Sequence, residues 1–274
     1  MKFITFSRQL GTGGHDIAMR VADKLGYKFH DTDSIVHAAR EMGFLDSVEQ
    51  IDEKSPSLFQ RFFSHKPTIN LDRLNSVIYQ LANQGDGVFL GRGGQILLKS
   101  FSCALHVRVI ASRHKRIQNL IKRGYTEETA SKAIEESDHE RAAFIKFAFG
   151  LDWEAPDLYD IVLNIDKLSV NLAIDTVLAI ACSDEINACS QDSMETLAKL
   201  ALVSRSEAAI VESGLSYGQS TAVSVSVEEP GKVTLTGVVE NEKSRIRAEG
   251  VVMGVKGVEA IDNQIRVRPS DRHA

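Results

Sequence analysis

The sequence predicts an α/β domain built on a parallel sheet, followed by a small α+β domain. Three observations support that reading. Residues 1–182 alternate short β-branched or apolar runs with longer helical patterns, and such alternation argues for a parallel sheet covered by helices on both faces. Beyond residue 193 a helical stretch gives way to Ala222–Val227 (AVSVSV), whose period of two marks a half-buried antiparallel strand. Between the two, Ser183–Asp192 (SDEINACSQD) is small and polar, as a linker is. The expected organisation is a first domain over 1–182, a linker over 183–192 and a second domain over 193–270.

In chain order, the strands of the first domain are expected at Phe3–Phe6, Tyr27–His30, Gly87–Leu90, Ala104–Ile110 and Ile161–Asn164. Each is a short β-branched, aromatic or apolar run. Helices are expected near His15–Leu25, Asp72–Gln84, Arg113–Lys122, Glu127–Phe149 and Val170–Ala181. In the second domain a helix over Met194–Ser213 precedes the Ala222–Val227 strand. Glu229-Pro230-Gly231-Lys232 reads as a turn into the strand Val233–Val238. Asn241–Val252 then forms a helix with Ile246 and Gly250 on one side, and Val258–Val267 closes the domain as a strand.

The chain has 274 residues, 43% of them apolar and 25% charged, enough apolar content to bury a core and to exclude a wholly disordered or low-complexity chain. The net charge of -5 gives no basic field, so nucleic acid is not an expected partner. No stretch approaches the roughly 18 unbroken apolar residues of a membrane span. The strand-like run Lys2–Phe6 begins at once, so no signal peptide is expected and the expected location is the cytoplasm. Cys103, Cys182 and Cys189 form no CxxC and no zinc spacing; they read as small apolar residues of a reducing compartment, with one exposed thiol. His106, His114 and His139 show no metal-ligand spacing, and no protein-bound metal is expected at them.

The first strong motif is Ser7-Arg8-Gln9-Leu10-Gly11-Thr12-Gly13-Gly14-His15-Asp16, between the first strand and a helix. Glycines there let backbone N–H groups approach phosphate oxygens, and the helix N-terminus adds a favourable dipole. Two phosphate-binding patterns compete. A dinucleotide fingerprint needs a third glycine where Asp16 stands, yet Asp31 closes the second strand where a ribose-binding acid belongs. A phosphate loop of the Gly-Lys-Ser/Thr type needs a lysine where Gly14-His15 stand. The rest of the domain tilts the balance toward phosphoryl transfer, which is catalysed by positioning and by cations around developing charge. Gly91-Arg92-Gly93 follows the third strand, and Arg108, Arg113, Arg116, Arg123, Arg141, Lys115, Lys122 and Lys146 follow in the strand and helices beyond. For Arg113, Lys115 and Arg116 a solvated helix face explains the residues equally well.

Taken in order, these stretches resemble the cytidylate kinase-like family, a branch of the P-loop nucleoside monophosphate kinases. Ile4-Thr5-Phe6-Ser7-Arg8-Gln9-Leu10-Gly11-Thr12-Gly13-Gly14 resembles its opening, and Lys24–Asp31 its second strand and nucleotide-binding acid. Phe89-Leu90-Gly91-Arg92-Gly93-Gly94 resembles its Gly-Arg loop. Asp138–Phe144, Asp152-Trp153 and Tyr159–Asn164 resemble its lid and final strand. The resemblance implies a P-loop kinase-like sheet with ATP at Gly11, Thr12, Gly13, Gly14 and His15. It implies a monophosphate site near Asp31 and Arg92, and a lid carrying Asp138 on the substrate side and Arg141. Mg2+ with ATP and a (d)CMP-like acceptor are implied as well. On this carry-over Arg8 or a lid cation supplies the missing lysine's charge, Arg92 clamps the acceptor phosphate and Arg141 closes over the transferring group. Asp31 binds acceptor or metal-bound water. The chain departs from true cytidylate kinases at Gly14, where they carry lysine, at Asp16, where they carry a hydroxyl residue, and at Ala142 and Ala143 in an arginine-poor lid.

The second domain resembles a BON domain through Val233–Val239, Val255-Lys256-Gly257-Val258 and Asn263–Val267. That resemblance implies contact with a phospholipid surface or small ligand, while period-two patterning explains the same residues without any ligand. The segment Ile51–Pro67 sets Phe59, Phe62 and Phe63 among Lys54, Arg61, His65 and Lys66; packing against the core is favoured over base stacking. Trp153 reads as a turn anchor. Two functions stand against each other: a nucleoside monophosphate kinase, and a non-catalytic nucleotide sensor whose BON-like module reports to a partner or surface. A dinucleotide-dependent oxidoreductase rests on Gly11, Gly13 and Asp31 alone.

Overall fold

A computed structural model describes residues 2–41, 67–186, 188–215 and 222–268. The chain forms two units, one from residues 1–64 and 84–190, the other from 65–83 and 191–274.

The first unit is a five-stranded parallel sheet of β1 (Phe3–Arg8), β2 (Lys28–His30), β3 (Gly87–Leu90), β4 (Ala104–Ile110) and β5 (Ile161–Asn164), in the order β2-β3-β1-β4-β5. Phe3 pairs with both Gly87 and Ala104, so β1 lies between β3 and β4. All six residues of β1 and all four of β3 are buried; β3 is accordingly an unbroken apolar run, while β1 carries the buried polar residues Thr5, Ser7 and Arg8 toward its carboxyl end. Ile4 and Phe6 face α1 (Gly14–Leu25) and the helix Val170–Ala181, packing with Ile17, Val21, Ala173, Ile174 and Val177. On the opposite face Phe3 meets Phe89 edge-on, His30 stacks on Phe89 at 4.7 Å, and the Thr5 hydroxyl bonds His106 Nδ1 at 2.8 Å.

The strands fall where the apolar runs place them. Two described α-helices were not expected, the four-residue Gly94–Leu97 and α2 (Thr32–Glu41), whose first turn is satisfied by the Asp31 carboxylate accepting the Ser34 N–H at 3.1 Å. The helix expected at Asp72–Gln84 is α3 (Pro67–Ala82); proline suits a first helical turn, where its missing N–H costs nothing. It belongs to the second unit. The aromatic segment Ile51–Pro67 lies outside the described residues except for Pro67, which opens α3. The remaining helices of the first unit are α4 (Gly94–Leu97), α5 (Arg113–Ile121), α6 (Glu127–Phe149) and α7 (Val170–Ala181). The long α6 starts at a reciprocal cap: the Thr126 hydroxyl accepts the Thr129 N–H while the Thr129 hydroxyl accepts the Thr126 N–H. It stops at Gly150, in the left-handed conformation.

The cysteines correct the sequence reading. Cys103 and Cys189 form a disulfide with their Cα atoms 4.9 Å apart, and Cys182 is the exposed free thiol. A separation of 86 residues leaves no spacing signal by which the pair could be recognised.

In the second unit α8 (Gln191–Glu212) pairs with α3, and β6 (Ala222–Glu229), β7 (Lys232–Val239) and β8 (Ala260–Val267) form a sheet. β6 and β7 are antiparallel and joined at the expected turn; β7 and β8 are parallel, bridged by α9 (Glu242–Met253). Val225, Val233, Leu235, Val239 and Ile265 pack with Leu202, Ile210, Ala248 and Val252. On α9, Ala248 and Val252 are buried in the core, while Ile246 and Gly250, the side the sequence reading picked out, are exposed, Ile246 to 62%. No described helix is long and apolar enough to cross a membrane.

Candidate active site

In an open parallel sheet, ligands bind beyond the carboxyl ends of the strands where the chain's progression reverses. Here that point is the end of β1, since β3 lies on one side of it and β4 on the other. This topology removes the dinucleotide reading. A dinucleotide fold sets its second strand, with the ribose-binding acid, directly beside the first; here β3 separates β2 and Asp31 from β1.

The chain leaves β1 at Arg8 and turns into α1 through Gly11 and Gly13, whose φ values of 84° and 78° favour glycine. A Cβ on Gly11 would meet the Arg116 carbonyl oxygen at 2.8 Å, so α5 packs directly on the loop. The loop is braced from within by Thr12, whose hydroxyl donates to the Gln9 carbonyl at 2.8 Å and accepts the Gly14 N–H at 3.2 Å. From α5 the Asn119 side chain donates to the Gly11 carbonyl at 2.8 Å. The N-cap residue Gly13 makes no side-chain cap bond, so apart from the Gly14 N–H held by Thr12 the start of α1 is a place where an anion can bind. His15 is exposed there, its Nε2 3.9 Å from Asp31 and its ring edge-on to Phe29. Asp16 turns back along the helix to Arg20, at 3.8 Å.

The second loop, Gly91-Arg92-Gly93, follows β3 and is tied to β1 by the Gly91 N–H donating to the Phe6 carbonyl at 2.9 Å. All three residues are left-handed, with φ of 80°, 56° and 74°; among the described residues Arg92 is the sole non-glycine with positive φ. A left-handed arginine costs on the order of 1–3 kcal/mol, a kind of strain that collects at functional sites. Its side chain is 1% exposed. Gly93 is required for a second reason: a Cβ there would lie 2.4 Å from the Phe149 ring.

Arg8, Arg92 and Arg141 line one cavity together with Ser7, Gln95, Phe144 and Trp153. Its volume of about 10 Å3 holds roughly one water, less than a phosphate group needs. Trp153 is buried as the anchor expected of it, and its indole N–H donates to the Ser7 hydroxyl at 2.8 Å. Tyr159 donates to the Trp153 carbonyl at 2.8 Å, and burial pushes its phenol above the ordinary value. Arg108 is committed to this wall: its guanidinium lies 4.4 Å from the Trp153 ring and bonds the Trp153 carbonyl and Glu154. Arg113 pairs with Glu135 on the solvent side. Arg116 does neither: it is buried, bonds Asp138 at 2.6 Å and reaches the Leu10 carbonyl at 3.4 Å.

The structure thus brings Arg8, Arg92 and Arg141 together and sets Gly11–His15 beside them at the start of α1. Asp138 sits between two cations, Arg116 and Arg141, the latter at 4.0 Å. Asp31 is placed elsewhere, against His15 and the start of α2. Sequence reading did not single out Gln95 and Asn119 as neighbours of the loops; Ser7 and Phe144 stood in its motifs without a role of their own. Among the described residues no group of three or more His, Cys, Asp or Glu could hold a metal ion.

Residues 3–167 match the cytidylate kinase-like family and residues 201–269 match the BON domain. No curated protein matches the chain. Among solved structures, an uncharacterized protein from Eubacterium ventriosum ATCC 27560 shares the fold at a TM-score of 0.54 and 19% identity, over 67% of this chain and 99% of that one. A shikimate kinase from Bacteroides thetaiotaomicron matches at TM-score 0.40 and 12% identity, over 65% and 97%. A deoxyadenosine kinase from M. mycoides with bound dATP matches at 0.38 and 15%, over 66% and 100%.

Proposed function

Since the chain belongs to the cytidylate kinase-like family, we propose that it transfers a phosphoryl group from ATP to a nucleoside monophosphate, a (d)CMP-like acceptor being favoured. The observation that supports this most is the convergence of Arg8, Arg92 and Arg141 on one cavity beside a glycine loop that opens a helix. Phosphoryl transfer needs little covalent chemistry from a protein; it needs aligned reactants and cations around the charge of the transition state.

The chain's own groups divide that work. Backbone N–H groups of Gly11, Thr12, Gly13, Gly14 and His15 hold donor phosphates. Arg8 supplies the cation that relatives place at residue 14, Arg92 clamps the acceptor phosphate, and Arg141 covers the transferring group. Asp138 keeps Arg116 and Arg141 neutralised until phosphates replace it. Asp31 orients His15 and contacts the acceptor from the edge of the cleft. The residues present do not form a Mg2+ site: Gly14-His15-Asp16 offers no hydroxyl and Asp16 is held by Arg20. Mg2+ accordingly belongs with the nucleotide as part of the substrate. ATP as donor fits a cytoplasmic location, and a phospholipid or small ligand at the BON domain completes the reading.

A second reading, a nucleotide sensor without turnover, is favoured by the glycine at residue 14 and by a cavity of only about 10 Å3. One experiment separates them: ATP·Mg2+ turnover against CMP, dCMP, UMP, AMP and GMP, with donor and acceptor binding measured on the same sample. Turnover with one acceptor establishes the kinase and names its substrate. Binding of nucleotide without turnover establishes the sensor, and absence of both removes the glycine loop from function.

A further inference from the structure

The Cys103–Cys189 disulfide joins two places of unlike character. Cys103 is fully buried just before β4, and its carbonyl accepts the Phe3 N–H at 2.9 Å where β1 begins. That end of the sheet is opposite the phosphate loops. Cys189 is half-buried, two residues before α8 and between the two family matches, which end at 167 and begin at 201. The bridge therefore ties the base of the sheet to the segment leading toward the BON domain, and neither matched module contains both ends.

We propose that this pair is a reversible thiol–disulfide site, a latch that pins residues 188–190 to the sheet when oxidised and frees them, and with them the adjoining 183–186, when reduced. The Cα separation of 4.9 Å falls in the range that closes without backbone movement. Beside the bridge, Ile186 packs against the sheet core and the Ser183 hydroxyl donates to the Ile180 carbonyl at 2.7 Å. Burial sets the direction of attack. An external thiolate reaches the Cys189 sulfur; the S–S bond breaks, and Cys103 leaves as a thiolate and takes up a proton. A second external thiol then attacks the mixed disulfide and releases Cys189 as a thiol, so two thiols are oxidised to one disulfide as the bridge is reduced. The reverse reaction takes a small-molecule disulfide of the glutathione class as oxidant. Disulfides in a reducing compartment are usually transient or redox-sensing. Cys182, exposed at the end of α7, stays a thiol in both states.

The test equilibrates the full-length protein in glutathione buffers from oxidised to reduced, quenches it in acid, alkylates it and counts blocked cysteines by mass. Portions of each unquenched sample meet endoproteinase Glu-C, which cuts after Glu185. The expected count rises from one, Cys182, to three, and cleavage after Glu185 accelerates about tenfold in step, as for a segment whose opening becomes favourable. Cys189→Ser is cut at the fast rate in every buffer, and Cys182→Ser is cut as wild type while its count rises from zero to two; circular dichroism checks that both fold. Should Cys189→Ser not fold, the wild-type count and cleavage rate decide alone. Three alkylated cysteines in every buffer, a bridge that survives full reduction, or a cleavage rate unmoved by reduction overturns the latch. None of these outcomes depends on phosphoryl transfer.

Discussion

A Cβ placed on Gly14 would stand 2.6 Å from the Cβ of Arg8 and 3.1 Å from its Cγ. The two positions are chosen together: the side chain at the end of β1 fills the space that a side chain at residue 14 would need. A cation is thus carried to the loop from the strand instead of from the helix. Arg8→Ala should lower turnover about a hundredfold or more, the scale of one lost charge-stabilising contact, while the fold persists. Gly14→Lys alone should cost about 1–3 kcal/mol by overpacking. Arg8→Gly combined with Gly14→Lys should recover both stability and turnover. Denaturant melts and steady-state kinetics on the four proteins check this; a Gly14→Lys single variant as stable as wild type and more active would show that Arg8 holds no such place.

At Arg92 conformation and charge can be separated. Its φ of 56° is strained for any residue with a Cβ. Arg92→Gly and Arg92→Ala remove the same guanidinium, yet only glycine relieves the backbone. The glycine variant should be about 1 kcal/mol more stable than the alanine variant, with turnover lost equally in both. Equal melting of the two, or turnover retained in either, contradicts the assignment.

How much of this was legible in the sequence depends on the range of the cause. The strands of the parallel sheet were readable because burial on both faces writes itself as short, mainly β-branched, aromatic and apolar runs, as in Phe3–Phe6 and Gly87–Leu90. The glycine loop and Arg92 were readable because positive φ demands glycine and because glycines flanking an arginine are unusual. Long-range relations were not. The pairing of Arg116 with Asp138 spans 22 residues and two helices, the disulfide spans 86, and nothing local marks either. The inward face of α9 was not assigned from the sequence, because the large apolar Ile246 is exposed and the core takes the compact Ala248 and Val252.

Asp138 stands where the family resemblance puts a substrate-binding acid, but its partners are cations of the protein itself, Arg116 at 2.6 Å and Arg141 at 4.0 Å. A carboxylate held between two buried guanidinium groups competes with an incoming phosphate. Asp138→Asn should therefore tighten binding of inorganic phosphate several-fold while costing about 1–3 kcal/mol of stability, because Arg116 is left buried with a weaker partner. Calorimetric titration with phosphate reads the first and thermal melts the second. Weaker phosphate binding in the variant would mean that Asp138 contacts ligand and does not shield the cations.

The two units should respond to pH with opposite signs. In the first, burial pushes His30 down to about 4, Lys28 adding to the effect, while the ring stacks on Phe89. Its unfolded value is 6.5, so below that pH the unfolded chain binds a proton that the native state refuses, and stability falls from pH 6.5 toward 4. In the second, burial first and Glu207 second push Asp72 up to about 7 from 3.8; Glu207 is itself raised by burial. There the native state holds a proton that the unfolded chain has already lost, so stability falls as pH rises from about 4 to about 7. Hydrogen-exchange protection, corrected for intrinsic rates, should decline in β1 and β3 on acidification and in α3 and α8 on moving to neutral pH. His30→Phe should flatten the first slope while preserving the ring stack, and Asp72→Asn should flatten much of the second. Parallel pH profiles for the two units, or profiles unmoved by these substitutions, would place the titrating groups elsewhere.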